Sequence, residues 1–342
     1  MPSKPNVIRV ATSSLATLEA TRPPFNIKTP DIDETIQSAI SLVKSAAAAG
    51  ADLVVLPETF AYAGLPIEAM IEDAVNPQGK GQAALRHICQ LAAQYKVNII
   101  LGALLPAAAA GPLLSDLQDP RAKQFRNSAL FVDRQGRIIA RYHKRYPVES
   151  ELAAGILPGD RCVVVESDIG RVGLAICFDL NWPKVFEEMK EKGVDLCVWI
   201  SAYDGGFPLQ ACAATLQLPI VTSVMPYHAK YIDRLGRLKA QTSRWSRMLV
   251  VDVCLETETF HTDGQASKIQ EIQECYGGKV NVESFSEEHL FVVEVVDRGV
   301  KMDDIISRFH LVTYTNYIKR CSKAVEDILA LEGSKKALES KL

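Results

Sequence analysis

No apolar stretch in this 342-residue chain approaches the roughly 18 uncharged residues that a membrane-crossing helix needs, and Met1 to Val10 lacks the apolar centre of a secretory leader. A cytoplasmic protein with no membrane partner is expected. Paired C-x-x-C cysteines are missing too. Cys89, Cys162, Cys177, Cys197, Cys212, Cys254, Cys275 and Cys321 are scattered, which argues against zinc ribbons, thioredoxin chemistry and a disulfide scaffold. They read mostly as buried thiols of a reducing compartment, acting as small hydrophobes. Nor is there a surplus of charge: 38 Lys and Arg against 41 Asp and Glu leave a net −3, with the signs interspersed. Nucleic acid is therefore not expected as a partner.

What the chain does have is an apolar content of 48%, enough for a sizeable core in one large domain or two ordinary ones. Its first two thirds alternate β-branched runs with helical spacing, the pattern of strands layered with helices. Strands are predicted at Val7 to Thr12, Asp52 to Leu56, Val97 to Gly102, Cys162 to Val165, Val172 to Ile176, Asp195 to Ile200 and Leu218 to Val224. Helices are predicted over Asp31 to Ala49, Gln82 to Tyr95, Pro183 to Glu191 and Gly206 to Leu216. Gln135-Gly136 joins two runs as a hairpin turn, and a weaker hairpin is read through Ala240 to Leu255. Ala107 to Pro120 reads as a surface excursion, Phe291 to Val296 as a strand, and about Thr315 to Lys341 as a charged, amphipathic helix or helix pair. There is no linker and no internal repeat.

Three residues at the ends of these elements carry chemistry. Glu58 follows a buried strand, where α/β proteins bind ligands, although a carboxylate there also serves as an ordinary cap or ion-pair partner. Lys144 follows the hairpin strand ending in Arg141-Tyr142-His143; with Arg145 beside it, it also fits a solvated strand end. Glu149 and Glu151, beyond Pro147, place carboxylates near that cation. Cys177 ends the run Val172 to Ile176 and leads into the helix at Pro183, a strand-turn-helix elbow of the kind that exposes a nucleophile and offers backbone N–H groups to an oxyanion. A lone cysteine in such a place is otherwise a buried thiol.

Leu56-Pro57-Glu58, Tyr142-His143-Lys144 and Ile176-Cys177-Phe178-Asp179 stand in the order found in the nitrilase, or carbon-nitrogen hydrolase, superfamily. Asn127 to Phe131, Pro158-Gly159-Asp160 and Ser201 to Gly206 fit as supporting segments, so the chain resembles that family over about residues 5 to 300. The resemblance implies a four-layer αββα sandwich that forms homodimers, or higher homo-oligomers, by packing helical faces. With no linker in view, the chain is expected to hold one carbon-nitrogen hydrolase domain over residues 1–300 and a helical C-terminal extension over 301–342, whose amphipathic pattern suits subunit contacts.

On that resemblance Cys177 is the nucleophile, Glu58 the base and then the acid, and Lys144 with the backbone N–H of Phe178 the oxyanion stabiliser. A thioester on Cys177 is hydrolysed by water, with no metal and no other cofactor. Glu151, seven residues beyond Lys144, is the chosen second glutamate, and Glu149 is its alternative. Phe178-Asp179 after the cysteine, in place of Trp-Glu, resembles the amidase and carbamoylase branches. A small amide or N-carbamoyl substrate is thus expected ahead of a nitrile, and a free-standing hydrolase ahead of a fused module. Ala211 to Gln217 departs from the family's usual stretch at that place, so no particular subfamily substrate carries over. A non-catalytic regulatory member of the fold is the competing class. A papain-type enzyme is disfavoured because none of the six histidines sits in a partner motif.

Overall fold

The computed structural model describes residues 5–15, 31–62, 65–76, 78–107, 124–225, 228–243 and 245–339. All of the excursion predicted at Ala107 to Pro120 except its first residue lies outside them. In chain order the elements begin with β1 (Val7–Ser13), α1 (Ile32–Ala48), β2 (Leu53–Val55), α2 (Ile67–Val75), α3 (Lys80–Tyr95) and β3 (Asn98–Pro106). The hairpin β4 (Phe125–Val132) and β5 (Ile138–His143) leads to α4 (Glu149–Ala153), β6 (Val164–Ser167), β7 (Gly170–Ile176) and α5 (Pro183–Glu191). Next come β8 (Leu196–Ser201), α6 (Phe207–Leu216), β9 (Ile220–Val224), β10 (Lys230–Ile232), β11 (Leu238–Gln241) and β12 (Met248–Cys254). The last are β13 (Thr257–His261), α7 (Lys268–Tyr276), β14 (Val280–Phe285), β15 (Leu290–Val295), α8 (Met302–Phe309) and α9 (Tyr314–Glu339).

These elements form two compact units, Met1–Val253 and Cys254–Leu342. In the first, two six-stranded sheets run in the orders β12-β1-β2-β3-β4-β5 and β11-β10-β9-β8-β7-β6. Helix α1 starts where Asp31 accepts from Asp33 N, and it turns Ile36, Ile40 and Val43 inward onto the first sheet beside Leu85 and Ile88 of α3. Each such aliphatic side chain contributes about 1.5–3 kcal/mol on burial. On the other side Val185, Phe186 and Met189 of α5, with Leu209 and Ala213 of α6, cover Cys197 and Trp199 of β8. Between the sheets Thr12 Oγ1 donates to Thr222 O at 2.5 Å and Ser223 Oγ to Ser13 O at 3.0 Å. The layers are thus helix, sheet, sheet, helix, the expected αββα sandwich.

Register decides what shares an end. Strands β1, β2 and β3 are parallel, with Val55 opposite Ile100, and so are β7, β8 and β9, with Ile176 opposite Ile200. The residues just past β2, β7 and β8 therefore emerge together at the carboxyl ends of the strands, where open α/β sheets bind ligands.

Two features differ from the sequence pattern. Ala240 to Leu255 is not a hairpin: β11 belongs to the second sheet and β12 lies beside β1 in the first. Gln241 ends β11 in one sheet and Met248 begins β12 in the other, a change of partner that alternation along one strand cannot report. Helix α2 is not among the helices predicted, although Ile67, Met70, Ile71, Ala74 and Val75 recur at helical spacing and pack onto the core beside the first sheet; nine residues give that stripe only about two and a half turns.

The second unit has its own antiparallel sheet, in the order β13-β15-β14. Phe260 and Phe291 stack at 5.0 Å in a core with Ile272, Val293 and Ile305 from α7, β15 and α8. This unit begins at Cys254, ahead of the residue 301 expected for the extension, because β15 pairs with β13 and β14 and not with either large sheet. Helix α9 is anchored at its start, where Tyr317 donates to Asp263 at 2.9 Å. Among the described residues no helix is long and apolar enough to cross a membrane.

Candidate active site

Glu58 is buried three residues past β2. Leu56 N still bonds to Ile100 O at 2.8 Å, and Gly102 N to Pro57 O at 3.1 Å, so β3 steers the segment that carries the carboxylate. Gly102 is needed there: a Cβ on it would lie 2.6 Å from Glu58 Cα and 2.7 Å from Pro57 O. The carboxylate is held from both sides. Asn127 Nδ2 donates to Oε1 at 2.6 Å and the backbone N–H of Ala202 donates to Oε2 at 2.7 Å.

Lys144 follows β5, with its N–H on Asn127 O and its carbonyl on Gly159 N, both at 2.8 Å. Only 2% of its side chain is exposed. Nζ lies 2.9 Å from Glu58 Oε1 and 2.8 Å from Glu151 Oε2. Glu151 is placed by helix geometry. It sits in the first turn of α4, where the Val148 N–H donates to Oε2 at 2.8 Å, a reach-back that satisfies an orphan helix donor. Its other oxygen accepts from Asn127 Nδ2 at 2.8 Å. Glu149 is exposed on the same helix. Burial pulls the Lys144 ammonium down, but the charges of Glu58, Cys177 and Glu151 outweigh it and hold the group above its ordinary value. It stays protonated across the working pH range.

Cys177 opens a tight helical turn, Cys177–Asn181, that directly continues β7. Its φ is 49°, while Ile176 before it is extended, so the chain reverses sharply at the sulfur-bearing residue. A non-glycine residue in this left-handed region costs on the order of 1–3 kcal/mol, and such strain clusters at functional sites. Trp199 Nε1 braces the elbow by donating to Cys177 O at 3.0 Å. Burial and the charge of Glu58 push the thiol up to about 12, against the opposing pull of Lys144 and of hydrogen bonds involving Ser201 and Ala202. The resting group at neutral pH is thus a thiol. Phe178 meets Trp182 edge-on at 5.2 Å, and Tyr203 meets Trp199 edge-on at 5.3 Å. Burial, then the charges of Cys177 and Glu58, push the Tyr203 hydroxyl up to about 12, so it stays neutral beside them.

The structure therefore brings Glu58, Lys144 and Glu151 into one hydrogen-bonded cluster electrostatically coupled to Cys177, and leaves Glu149 outside it. Asn127, the backbone of Ala202, Trp199 and Asp179 complete the surroundings. In the sequence Asn127 and Ala202 stand out only as parts of supporting segments, and Trp199 does not stand out at all. The one signal present is position: Ala202 directly follows a strand, and Glu58 lies just past another. Among the described residues no group of three or more His, Cys, Asp or Glu could hold a metal ion. A cleft of about 710 Å³ lined by Asn98, Arg134, Asp168 and Arg171 lies at the amino ends of β3 and β7, away from this cluster.

Residues 10–259 match the carbon-nitrogen hydrolase family. The chain belongs to that family. A deaminated glutathione amidase of Synechocystis is 28% identical over 177 residues, covering 49% of this chain and 60% of that protein. An omega-amidase of Saccharomyces cerevisiae is 23% identical over 187 residues, covering 51% and 60%. The chain thus spans about 60% of the length of these relatives. An amidase from Nesterenkonia, itself a solved structure, superposes with a TM-score of 0.59 at 18% identity, covering 78% of this chain and 96% of that one. At that identity the likeness is one of fold, and it agrees with the αββα layers of the first unit.

Proposed function

We propose that this carbon-nitrogen hydrolase family member cleaves the C–N bond of small amides or N-carbamoyl compounds through a thioester on Cys177. The observation that carries this reading is one buried ammonium shared by two carboxylates next to a cysteine on a strained elbow. The cluster has two carboxylates to one cation. Passing the thiol proton to Glu58 as Sγ attacks the carbonyl carbon leaves that sum unchanged, so the thiolate forms without adding net charge to a dry site.

Attack makes the C–S bond and moves the carbonyl π electrons onto oxygen. An ammonium has three donors, and two of those on Lys144 are committed to Glu58 and Glu151. The third, with the Phe178 backbone N–H, suits the oxyanion. Glu58 returns its proton to the departing nitrogen as the C–N bond breaks, releasing ammonia or an amine. Water, deprotonated by Glu58, then opens the thioester to the acid and restores the thiol. Glu151 holds the ammonium in place throughout. The names of the similar amidases favour an amide over a nitrile, and exposed Phe207 at the start of α6 supports assembly into homodimers through helical faces.

The test is a panel of short aliphatic amides, N-carbamoyl amino acids and matched nitriles, read by ammonia release, with Cys177→Ala as control. Wild type is expected to turn over amides, to show an acyl adduct on Cys177 by mass spectrometry with a slow substrate, and to lose turnover in Cys177→Ala while still binding substrate. An adduct on another cysteine would sink the assignment. Nitriles turned over tenfold faster in kcat/KM than every amide, a difference of about 1.4 kcal/mol, would overturn the branch and leave the residues standing.

A further inference from the structure

Asp179 is wholly buried, two residues past Cys177, and its carboxylate accepts four hydrogen bonds. One is local: Ile176 N donates to Oδ2 at 3.0 Å, closing the elbow on itself. The other three come from the opposite sheet and its following turn. Tyr142 Oη donates to Oδ2 at 2.7 Å, while the backbone N–H groups of Arg145 and Tyr146 donate to Oδ1 at 3.1 and 3.0 Å. Tyr142 stands two residues before Lys144, and Arg145 and Tyr146 are the two after it. A single carboxylate therefore grips the backbone on one side of Cys177 and the chain on both sides of Lys144.

An aspartate that merely capped its own turn would need only the Ile176 contact. The long-range contacts link two elements that belong to different sheets. Burial raises the carboxyl above its ordinary value, and the bonds from Tyr142, Ile176 and Tyr146 oppose that rise. Only the ionised form fits all four donors, since it offers about four acceptor positions and no hydrogen. An amide of the same shape has one acceptor oxygen, and its NH₂ would face either the Ile176 and Tyr142 pair or the Arg145 and Tyr146 pair.

We propose that Asp179 is a positioning residue that sets the placement of Lys144 relative to Cys177, acting on the attack step through Lys144 without touching substrate. This rests on the reading of Cys177 as nucleophile and Lys144 as its cation. Lys144 lowers the cost of ionising the thiol, so loosening its turn makes the thiolate harder to form.

The experiment uses the full chain with Asp179→Asn and follows alkylation of Cys177 by iodoacetamide from pH 7 upward, quantified on the Cys177 peptide, beside single-turnover acylation and a thermal melt. The expected result is an alkylation profile displaced to higher pH, an acylation rate down tenfold or more, and KM within about twofold of wild type. An alkylation profile superimposable on wild type, whatever the melt does, would overturn the proposal and leave Asp179 a purely structural residue. Should Asp179→Asn fail to fold, Tyr142→Phe removes one long-range donor and must shift the profile in the same direction by a smaller amount; no shift overturns the proposal equally. Alkylation needs no substrate, so the two readings fail separately. Absence of an acyl adduct on wild-type Cys177 defeats the proposed function, whereas an adduct with an unmoved Asp179→Asn profile defeats only the role of Asp179.

Discussion

His143 stands next to Lys144 yet faces different chemistry, its Nδ1 2.8 Å from Ser128 Oγ. Burial first, and then the cations Arg126, Arg141 and Arg161 against one Asp160, lower its imidazole from 6.5 to about 4. Below about pH 6.5 the unfolded chain takes up this proton and the folded one does not, so stability is fully present above that value and drains away as pH falls toward 4. With part of the ring in solvent, the loss is of the order of 1–2 kcal/mol. Denaturant melts at a series of pH values should therefore show His143→Gln with a flatter profile than wild type between pH 6.5 and 4; parallel profiles would refute the assignment. His143 is thus a neighbour of the site through the backbone alone.

At the scale of elements, the site depends on short segments bending just past their strands. Lys144 and Glu151 meet because β5 ends at His143, Pro147 turns the chain, and the first turn of α4 points its third residue back at its own start. That spacing is local and visible in the sequence, and its resemblance to the lysine-to-glutamate spacing of the nitrilase superfamily is what favours Glu151 over Glu149 there. Glu58 is different, because its segment lies against β3 through Gly102, a contact 44 residues away along the chain that no periodicity announces. Gly102→Ala is expected to cost about 1–3 kcal/mol by overpacking and, by pushing the Glu58 backbone aside, to cut ammonia release tenfold or more. Urea melts and initial rates on the same preparation check both numbers; unchanged turnover would show that Glu58 tolerates displacement.

Over the whole chain, the buried charges of the first unit and the apolar core of the second call for different tests. Phe291 is fully buried against Phe260, and Phe291→Ala is expected to cost the second unit about 3–5 kcal/mol through lost burial and a cavity. Hydrogen exchange of the β13, β14 and β15 amides would report it directly, and protection equal to wild type would mean that the core is not where the stacked rings place it. Pairing on this scale is poorly legible in a sequence. Phe291 to Val296 reads as a strand, but nothing in its composition tells which sheet it joins, because β15 alternates no differently from strands of the first unit.

The layered α/β class, most strand and helix positions, and the order of Glu58, Lys144 and Cys177 at element ends are legible in the residues alone, because periodicity, prolines and turn dipeptides act within one turn or one strand. It takes the packed fold to show that Asn127 bridges Glu58 and Glu151, that β11 and β12 part company, and that Asp179 grips the turn around Lys144 from 33 to 37 residues away. Those outcomes turn on hydrogen bonds between segments distant along the chain. A buried donor takes whichever acceptor the packed sheets bring within reach, and that choice is made after the local elements have formed.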